Sequence, residues 1–497
     1  MICTITTTLP EIHGGRTKSL LNRIKFLEES LGEENAIFTT NYNPNYLSVY
    51  DSFEKRHIIS ENLKIYNMYE WLSNHNLFEK TRKKRHYLKR KEELKVPFKN
   101  YETKNSENVT RYYIDGQYVL FRRFYKNTKV LQFEDFMSPI SKQKLERREY
   151  TLKGTLHKIT NYSPFSRNKI YEEYYDISGN MYLKKFFSEE IKNKLKLIAL
   201  YHNKKPFKFF KYERDLCTYY YNNVFKNGDI VFCDARGLDS ALINCSMNVK
   251  KVMVYHSTHY DGDVTRGSYK KSLQNPDSID KYLVLTDYQK NDILNDFEID
   301  AHKIKVIPHF VDELLDKTVD QESKDDQFCY MGRISKEKRI DHIIEAFAKY
   351  IKNGHKTKLL IYGSDNGDEL GRLKPVVNDL NVSDYVIFKG YTSNPLQVFN
   401  DSKASFLTSQ FEGFGLTVME SINNGCPVVS YDIRYGPNEL IQNYQNGILV
   451  EEGNINELAD AMEYLSNHAL DDVQLSKKFS SSTAKESFGN LINYLKS

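Results

Sequence analysis

The chain has 497 residues, 40% of them hydrophobic and 28% charged, more than one core normally organises, so two or three domains are expected. A net charge of +5, from 71 basic and 66 acidic residues, is too small to require nucleic acid and still permits local attraction of anions. Cys3, Cys217, Cys233, Cys245, Cys329 and Cys426 show no C-x-x-C metal or redox spacing and read as reduced core thiols. No signal peptide opens the chain and no apolar run is long enough to cross a bilayer, which points to a cytoplasmic protein.

In chain order, residues 2–6 read as a strand, 9–17 as a loop containing Gly14 and Gly15, and 18–27 as an amphipathic helix. Strand, glycine loop and helix form a phosphate- or sugar-binding corner, although two adjacent glycines alone usually mark only a turn. Residues 41–46 continue the same irregular rim. Residues 80–91 form a cationic stretch at helical periodicity, read either as a solvated helix face or as a contact for a polyanionic acceptor. From about residue 101 to 187, polar residues alternate with aromatic and β-branched ones, and Asp115-Gly116 and Ser178-Gly179-Asn180 supply hairpin turns, predicting an antiparallel insertion.

The α/β rhythm then resumes. Residues 229–234 and 252–256 read as parallel strands whose C-terminal ends present Asp234 and His256, the rim where open α/β sheets bind ligands. Strands over 282–286 and 304–312 lead to an interdomain linker that contains His309. A second run of βα units extends from about 326 to 469, with strands over 328–331, 359–363, 385–390, 404–408 and 426–430.

Two motifs in that second run carry chemistry. After strand 328–331, Gly332 and Arg333 form a turn before a predicted helix whose first turn carries Lys338, offering a planar fork and a point charge to a leaving diphosphate. After strand 404–408, Glu412 precedes Gly413 and Gly415, and residues 416–423 read as a helix closed by Gly425, with Glu420 about one turn inside it. Glycines let backbone approach a ligand, and the amides at Leu416 and Thr417 open a helix end that attracts phosphate.

The Glu412/Glu420 spacing resembles the E-x7-E signature of retaining family 4 glycosyltransferases, and Arg333 with Lys338 resembles that family's G-R-x-x-x-x-K pattern. Gly14-Gly15, His256, Gly363 and Gly390-Tyr391 also fall where the family carries a glycine loop, a histidine near the donor sugar, a glycine after a strand and a turn near the nucleobase. Tyr391 can equally be a rim aromatic, and His259 stays unassigned.

The resemblance implies an α/β GT-B fold, two Rossmann-like domains facing a cleft. Residues 1–80 and 205–312 would form the first, 81–204 a β-rich insertion, and 313–475 the nucleotide-sugar domain. A last helix over 476–497 would pack back on the first domain. An insertion in the first half looks like the enzymes that glycosylate wall teichoic acid, poly(glycerol phosphate) or poly(ribitol phosphate).

That branch implies transfer from UDP-glucose, or less favoured UDP-GlcNAc, to polyol hydroxyls with retained configuration. Arg333 and Lys338 would stabilise the leaving diphosphate, Glu412 and His256 would face the donor sugar, and Glu420 would hold the ribose. Gly14, Gly15, Gly332, Gly363, Gly413, Gly415, Leu416, Thr417 and Tyr391 would line the nucleotide sugar. No Asp-x-Asp motif appears in a suitable loop, so neither metal nor cofactor is expected beyond the UDP-sugar co-substrate. A homotrimer joined through aromatic-rich edge strands of the insertion, working at the inner face of the membrane on an anionic polymer, completes the expectation. The rival readings are a UDP-GlcNAc-dependent glycosyltransferase of serine-rich adhesins and a non-catalytic paralogue serving as a binding or chaperone subunit.

Overall fold

The computed structural model describes residues 1–11, 15–77, 94–314, 324–470 and 472–497, so Gly14 and the basic stretch 80–91 lie outside the described residues. Internal contacts group the chain into two units, residues 1–28 with 33–249 and residues 29–32 with 250–497.

In the first unit, short apolar runs form parallel strands in the order Ile230–Cys233, Ile2–Thr6, Asn35–Thr39 and Lys64–Asn67. Ile2–Thr6 and Asn35–Thr39 are buried at every position, as strands covered on both faces must be. The helix Gly15–Leu31 starts three residues before the predicted one, and Leu20, Leu21 and Ile24 pack with Ile37, Tyr46 and Phe53. Its Arg23 donates through both terminal nitrogens to Asp234, at 3.0 and 2.6 Å, with both side chains buried. Asp234, expected at a ligand rim, is therefore engaged by a guanidinium fork that compensates its buried charge.

The predicted antiparallel insertion is present and longer than expected. Ten strands from Glu102–Ser106 to Lys205–Phe210 pair each with the next in chain order. Asp115 at φ 49° and Gly116 at φ 74° join Val109–Ile114 to Gln117–Phe124, the two positive values that a tight hairpin turn requires. Opposite charges sit in register across the strands: Asp135 faces Arg147, Glu149 faces Lys158 and Glu173 faces Lys184. Arg147 binds both oxygens of Asp135, at 2.6 and 2.7 Å, and lies 4.0 Å from the Phe133 ring centroid.

The edges of this sheet differ from the expected Tyr- and Phe-rich ones. Glu102–Ser106 is polar and exposed throughout, and only Lys205–Phe210 turns aromatics outward, with Phe207 and Phe209 each 56% exposed. Most aromatics of the inner strands instead pack against each other or under cations, as Phe121 does against Phe133 and beneath Arg111.

In the second unit, Lys250–Val254, Lys281–Val284 and Ile304–Val306 run parallel. A six-stranded sheet follows, in the order Val386–Gly390, Lys358–Tyr362, Asp325–Met331, Ser402–Leu407, Val428–Tyr431 and Gly447–Val450, with every neighbour parallel. The helix Ile340–Lys352 buries Ile340, Ile343, Ile344 and Phe347, a helical stripe that joins Leu458, Met462 and Leu465 of the helix Ile455–Asn467 in one core. The helix Ser481–Lys496 ends the chain. All six cysteines are buried free thiols. Among the described residues no helix is long and apolar enough to cross a membrane.

Candidate active site

Three strands of the six-stranded sheet end in glycine turns that crowd together. Gly332 follows Asp325–Met331, Gly363 follows Lys358–Tyr362, and Gly390 closes Val386–Gly390. The Gly332 amide donates to the Tyr362 carbonyl at 3.1 Å and the Gly363 amide to the Gly390 carbonyl at 2.9 Å. Gly363, at φ 154°, leaves no room for a side chain, since a Cβ there would lie 1.7 Å from the Gly332 carbonyl oxygen. Tyr391, just beyond Gly390, is 79% exposed.

Lys338 does not sit in the first turn of an α-helix, as the sequence predicts. A short 3₁₀ turn, Lys336–Lys338, comes first, and the α-helix starts at Ile340 after Arg339, whose φ of 47° is left-handed. Competition for carbonyls explains the break. The Thr408 hydroxyl donates to the carbonyls of Lys338 (2.9 Å) and Arg339 (3.0 Å), and the Gln410 amide donates to the Glu337 carbonyl at 2.9 Å. This frees Lys338 to reach sideways: its Nζ donates to Glu412 Oε1 at 2.5 Å, with both side chains largely buried. Arg333 is more open, its side chain 59% exposed and 3.3 Å from Glu337.

Glu412 is fixed from several sides. The Ser409 hydroxyl donates to the same Oε1 at 2.8 Å, the Glu412 amide donates to the Arg434 carbonyl at 2.9 Å, and the Tyr435 amide donates to the Glu412 carbonyl at 3.1 Å. Next to it, Gly413 packs on the backbone after the strand Lys250–Val254, where an added Cβ would lie 2.1 Å from the His256 carbonyl oxygen. Gly436 is equally constrained, for its Cβ would lie 1.7 Å from the Phe414 oxygen. The structure therefore brings Lys338, Glu412, Gly413 and the half-buried His256 to one place.

The helix Leu416–Asn423 has the predicted bounds, with Gly415 at φ 91° before it and the backbone amides of Leu416 and Thr417 in its first turn. Glu420 lies within it and is half-buried. Gly15 opens the first helix of the other unit. Sequence reasoning missed Ser409, whose position three residues before Glu412 in a tight loop is the signal that could have found it. It also left unassigned the buried His259, which burial pushes down to about 4 and so keeps neutral at pH 7. Among the described residues no group of three or more His, Cys, Asp or Glu side chains is placed to hold a metal ion.

Comparison with known proteins agrees with this geometry. Residues 312–485 match the family described as glycosyl transferases group 1. The chain is 28% identical to the poly(ribitol-phosphate) alpha-N-acetylglucosaminyltransferase of Staphylococcus aureus, over 92% of this chain and 90% of that one. It is also 28% identical to the poly(glycerol-phosphate) alpha-glucosyltransferase of Bacillus subtilis, over 96% of this chain and 71% of that one. A crystal structure of S. aureus TarM with fondaparinux, alpha-GlcNAc-glycerol and UDP superimposes with a TM-score of 0.82 at 26% identity, covering 99% of each chain. The chain is thus a glycosyltransferase of the GT-B fold with a group 1 glycosyltransferase domain in its C-terminal half.

Proposed function

We propose that the protein is a retaining α-glycosyltransferase that moves glucose from UDP-glucose to the polyol hydroxyls of a wall teichoic acid, with poly(glycerol phosphate) as the preferred acceptor. The observation that carries the reading is the pairing of Lys338 with Glu412 at the mouth of the helix Leu416–Asn423. A cation there faces the charge that grows on a leaving diphosphate, and the carboxylate opposes positive charge developing at the sugar's anomeric carbon. Arg333 adds a second, mobile cation, and Glu420 binds the ribose. Positive charge at the diphosphate then comes from side chains, and the reading invokes no divalent cation. The leaving diphosphate takes the acceptor's proton on the face from which it departs, which preserves configuration.

The two relatives named above act on polyol phosphate polymers, which supports the acceptor class. The donor sugar differs between them, and glucose follows the glycerol phosphate relative. A second reading, addition of GlcNAc to serine-rich proteins, draws on 26% identity over 62% of this chain to a peptide N-acetylglucosaminyltransferase GtfA subunit of Streptococcus pneumoniae. Purified protein incubated with UDP-glucose or UDP-GlcNAc and with each polymer or a serine-rich polypeptide separates the readings. Glucose transfer to poly(glycerol phosphate) in the α configuration is expected, and transfer only to the polypeptide would replace the proposal. Self-association through the outward Phe207 and Phe209 of the insertion, as a trimer at the inner membrane face, belongs to the same proposal and is read by light scattering.

A further inference from the structure

The helix Asp287–Asp296 turns a polar face inward where an apolar one is usual. Gln289 is fully buried and Asp292 is 9% exposed, beside the buried Ile293. Burying an amide and a carboxylate is costly unless each is bonded, and their partners show what the face is for. Gln289 Nε2 donates to the Ser257 carbonyl at 3.0 Å, and the Tyr269 hydroxyl donates to the same oxygen at 3.2 Å. Ser257 follows His256 directly. One helical turn on, Asp292 Oδ2 accepts the Tyr435 hydroxyl at 2.8 Å and forms an ion pair with Arg434, whose Nε lies 3.3 Å away. A further turn on, Asp296 accepts the Tyr260 hydroxyl.

Tyr435 is the joint of this arrangement. Its amide holds the Glu412 carbonyl, its ring is fully buried and lies parallel to that of His259 (centroids 6.1 Å apart, planes 4° apart), and Tyr288 packs edge-on against it at 5.4 Å. One rigid helix thus grips the segment after His256 and, through Tyr435, the loop of Glu412. Apolar residues of equal size would hold the same surfaces together without fixing their register.

We propose that Gln289, Asp292 and Tyr435 are positioning residues for the transfer reaction, setting Glu412 against His256 through hydrogen bonds at the second remove from substrate. The inference rests on the transferase reading of Glu412 and Lys338 given above. Misplacement of a catalytic group by about 1 Å costs about 10²-fold in rate while leaving ground-state binding largely intact.

The test measures UDP-glucose kinetics on Tyr435→Phe, Asp292→Leu and Gln289→Leu, with poly(glycerol phosphate) as acceptor, at a temperature where circular dichroism shows each variant fully folded. The expected result is a fall in kcat of about 10²-fold for Tyr435→Phe and Asp292→Leu, with KM for UDP-glucose within about threefold of the parent, since only the transition-state arrangement is disturbed. The Tyr435→Phe/Asp292→Leu double variant should be no slower than Asp292→Leu alone, because that change already removes the Tyr435 bond. If either variant fails to fold, Gln289→Leu carries the test alone and must show the same fall confined to kcat. Turnover within threefold of the parent in every folded variant overturns the inference. Glu412→Gln, assayed alongside, separates the two levels: if it is inactive while Tyr435→Phe is normal, only the positioning role falls, and if Glu412→Gln is fully active the transferase reading itself falls.

Discussion

The six-stranded parallel sheet and the ten-stranded antiparallel sheet of this protein are held together by different forces. In the six-stranded parallel sheet, Phe328, Leu359, Ile361, Ala404 and Val429 are buried beneath apolar helices, so residue size fixes the packing and chemistry is confined to the loops at the strand ends. In the ten-stranded antiparallel sheet, charge fixes the register: Asp135 with Arg147, Glu149 with Lys158 and Glu173 with Lys184 stand opposite one another, largely buried, with aromatic rings between them. A one-residue slip in that sheet would place charge beside aromatic and lose every pair. The first sheet is built to present a site, and the second to keep a long meander in line.

This contrast predicts unequal responses to mutation. The largest effect is expected where loops of the parallel sheet touch backbone to backbone. Gly436→Ala forces a Cβ to 1.7 Å from the Phe414 oxygen, and the Glu412 loop must then move by more than an ångström, lowering kcat by about 10²-fold or more. Activity near the parent value would show that the loop yields freely and that the contrast is overstated.

The paired glutamates should separate next. Glu412→Gln lowers mainly kcat, because its carboxylate acts on charge that exists only in the transition state. Glu420→Gln raises mainly KM for UDP-glucose by about tenfold, since a ribose contact acts in both states. Steady-state kinetics on both variants checks this, and the reverse pattern would exchange their roles.

Buried and exposed ion pairs sharpen the comparison of stabilities. Arg23→Met leaves the Asp234 carboxylate buried and unpartnered by its fork, a loss of about 3–5 kcal/mol in urea unfolding, whereas Arg148→Ala, which removes the more exposed pair with Glu146 on the antiparallel sheet, costs about 1 kcal/mol or less. Equal losses would mean that the Arg148–Glu146 pair is not at surface strength.

Acid should act on both regions alike. Burial holds His157, on the antiparallel sheet, down at about 3 and His259 down at about 4. Both are neutral when folded and take up protons when unfolded, so their contribution to stability is complete above about pH 6.5 and falls below it, by about 1.4 kcal/mol per pH unit for each histidine, until the folded values are reached. His157→Asn should flatten the slope of stability against pH between 6 and 4 by about one proton's worth, and an unchanged slope would place the proton uptake elsewhere.

Much of this architecture was legible in the residue pattern, and the gaps have physical causes. Periodicity located the helix Leu416–Asn423 to the residue, because Gly415 and Gly425 punctuate both ends, and Asp115-Gly116 announced its hairpin by turn chemistry alone. Strands such as Lys205–Phe210, with a proline and two lysines, offered no alternation to read. The break before Ile340 was invisible because the competing donors, Thr408 and Gln410, lie about 70 residues away in sequence. The grip of Arg23 on Asp234 and the polar face of Asp287–Asp296 are likewise long-range pairings, in which neither member's sequence neighbours announce its partner. Motifs put Glu412 in a glycine loop and Lys338 in the first turn of a helix, but only the fold shows them sharing a hydrogen bond.

The central claim is that the Lys338–Glu412 pair stabilises the transition state of sugar transfer. The most direct measurement is kcat for UDP-glucose on Lys338→Ala, with thermal unfolding followed on the same preparation. A fall of about 10²–10³-fold in turnover, the scale for one preorganised charge-stabilising group, with the melting temperature nearly unchanged, is the predicted result. Turnover within a few-fold of the parent in a fully folded variant would contradict it.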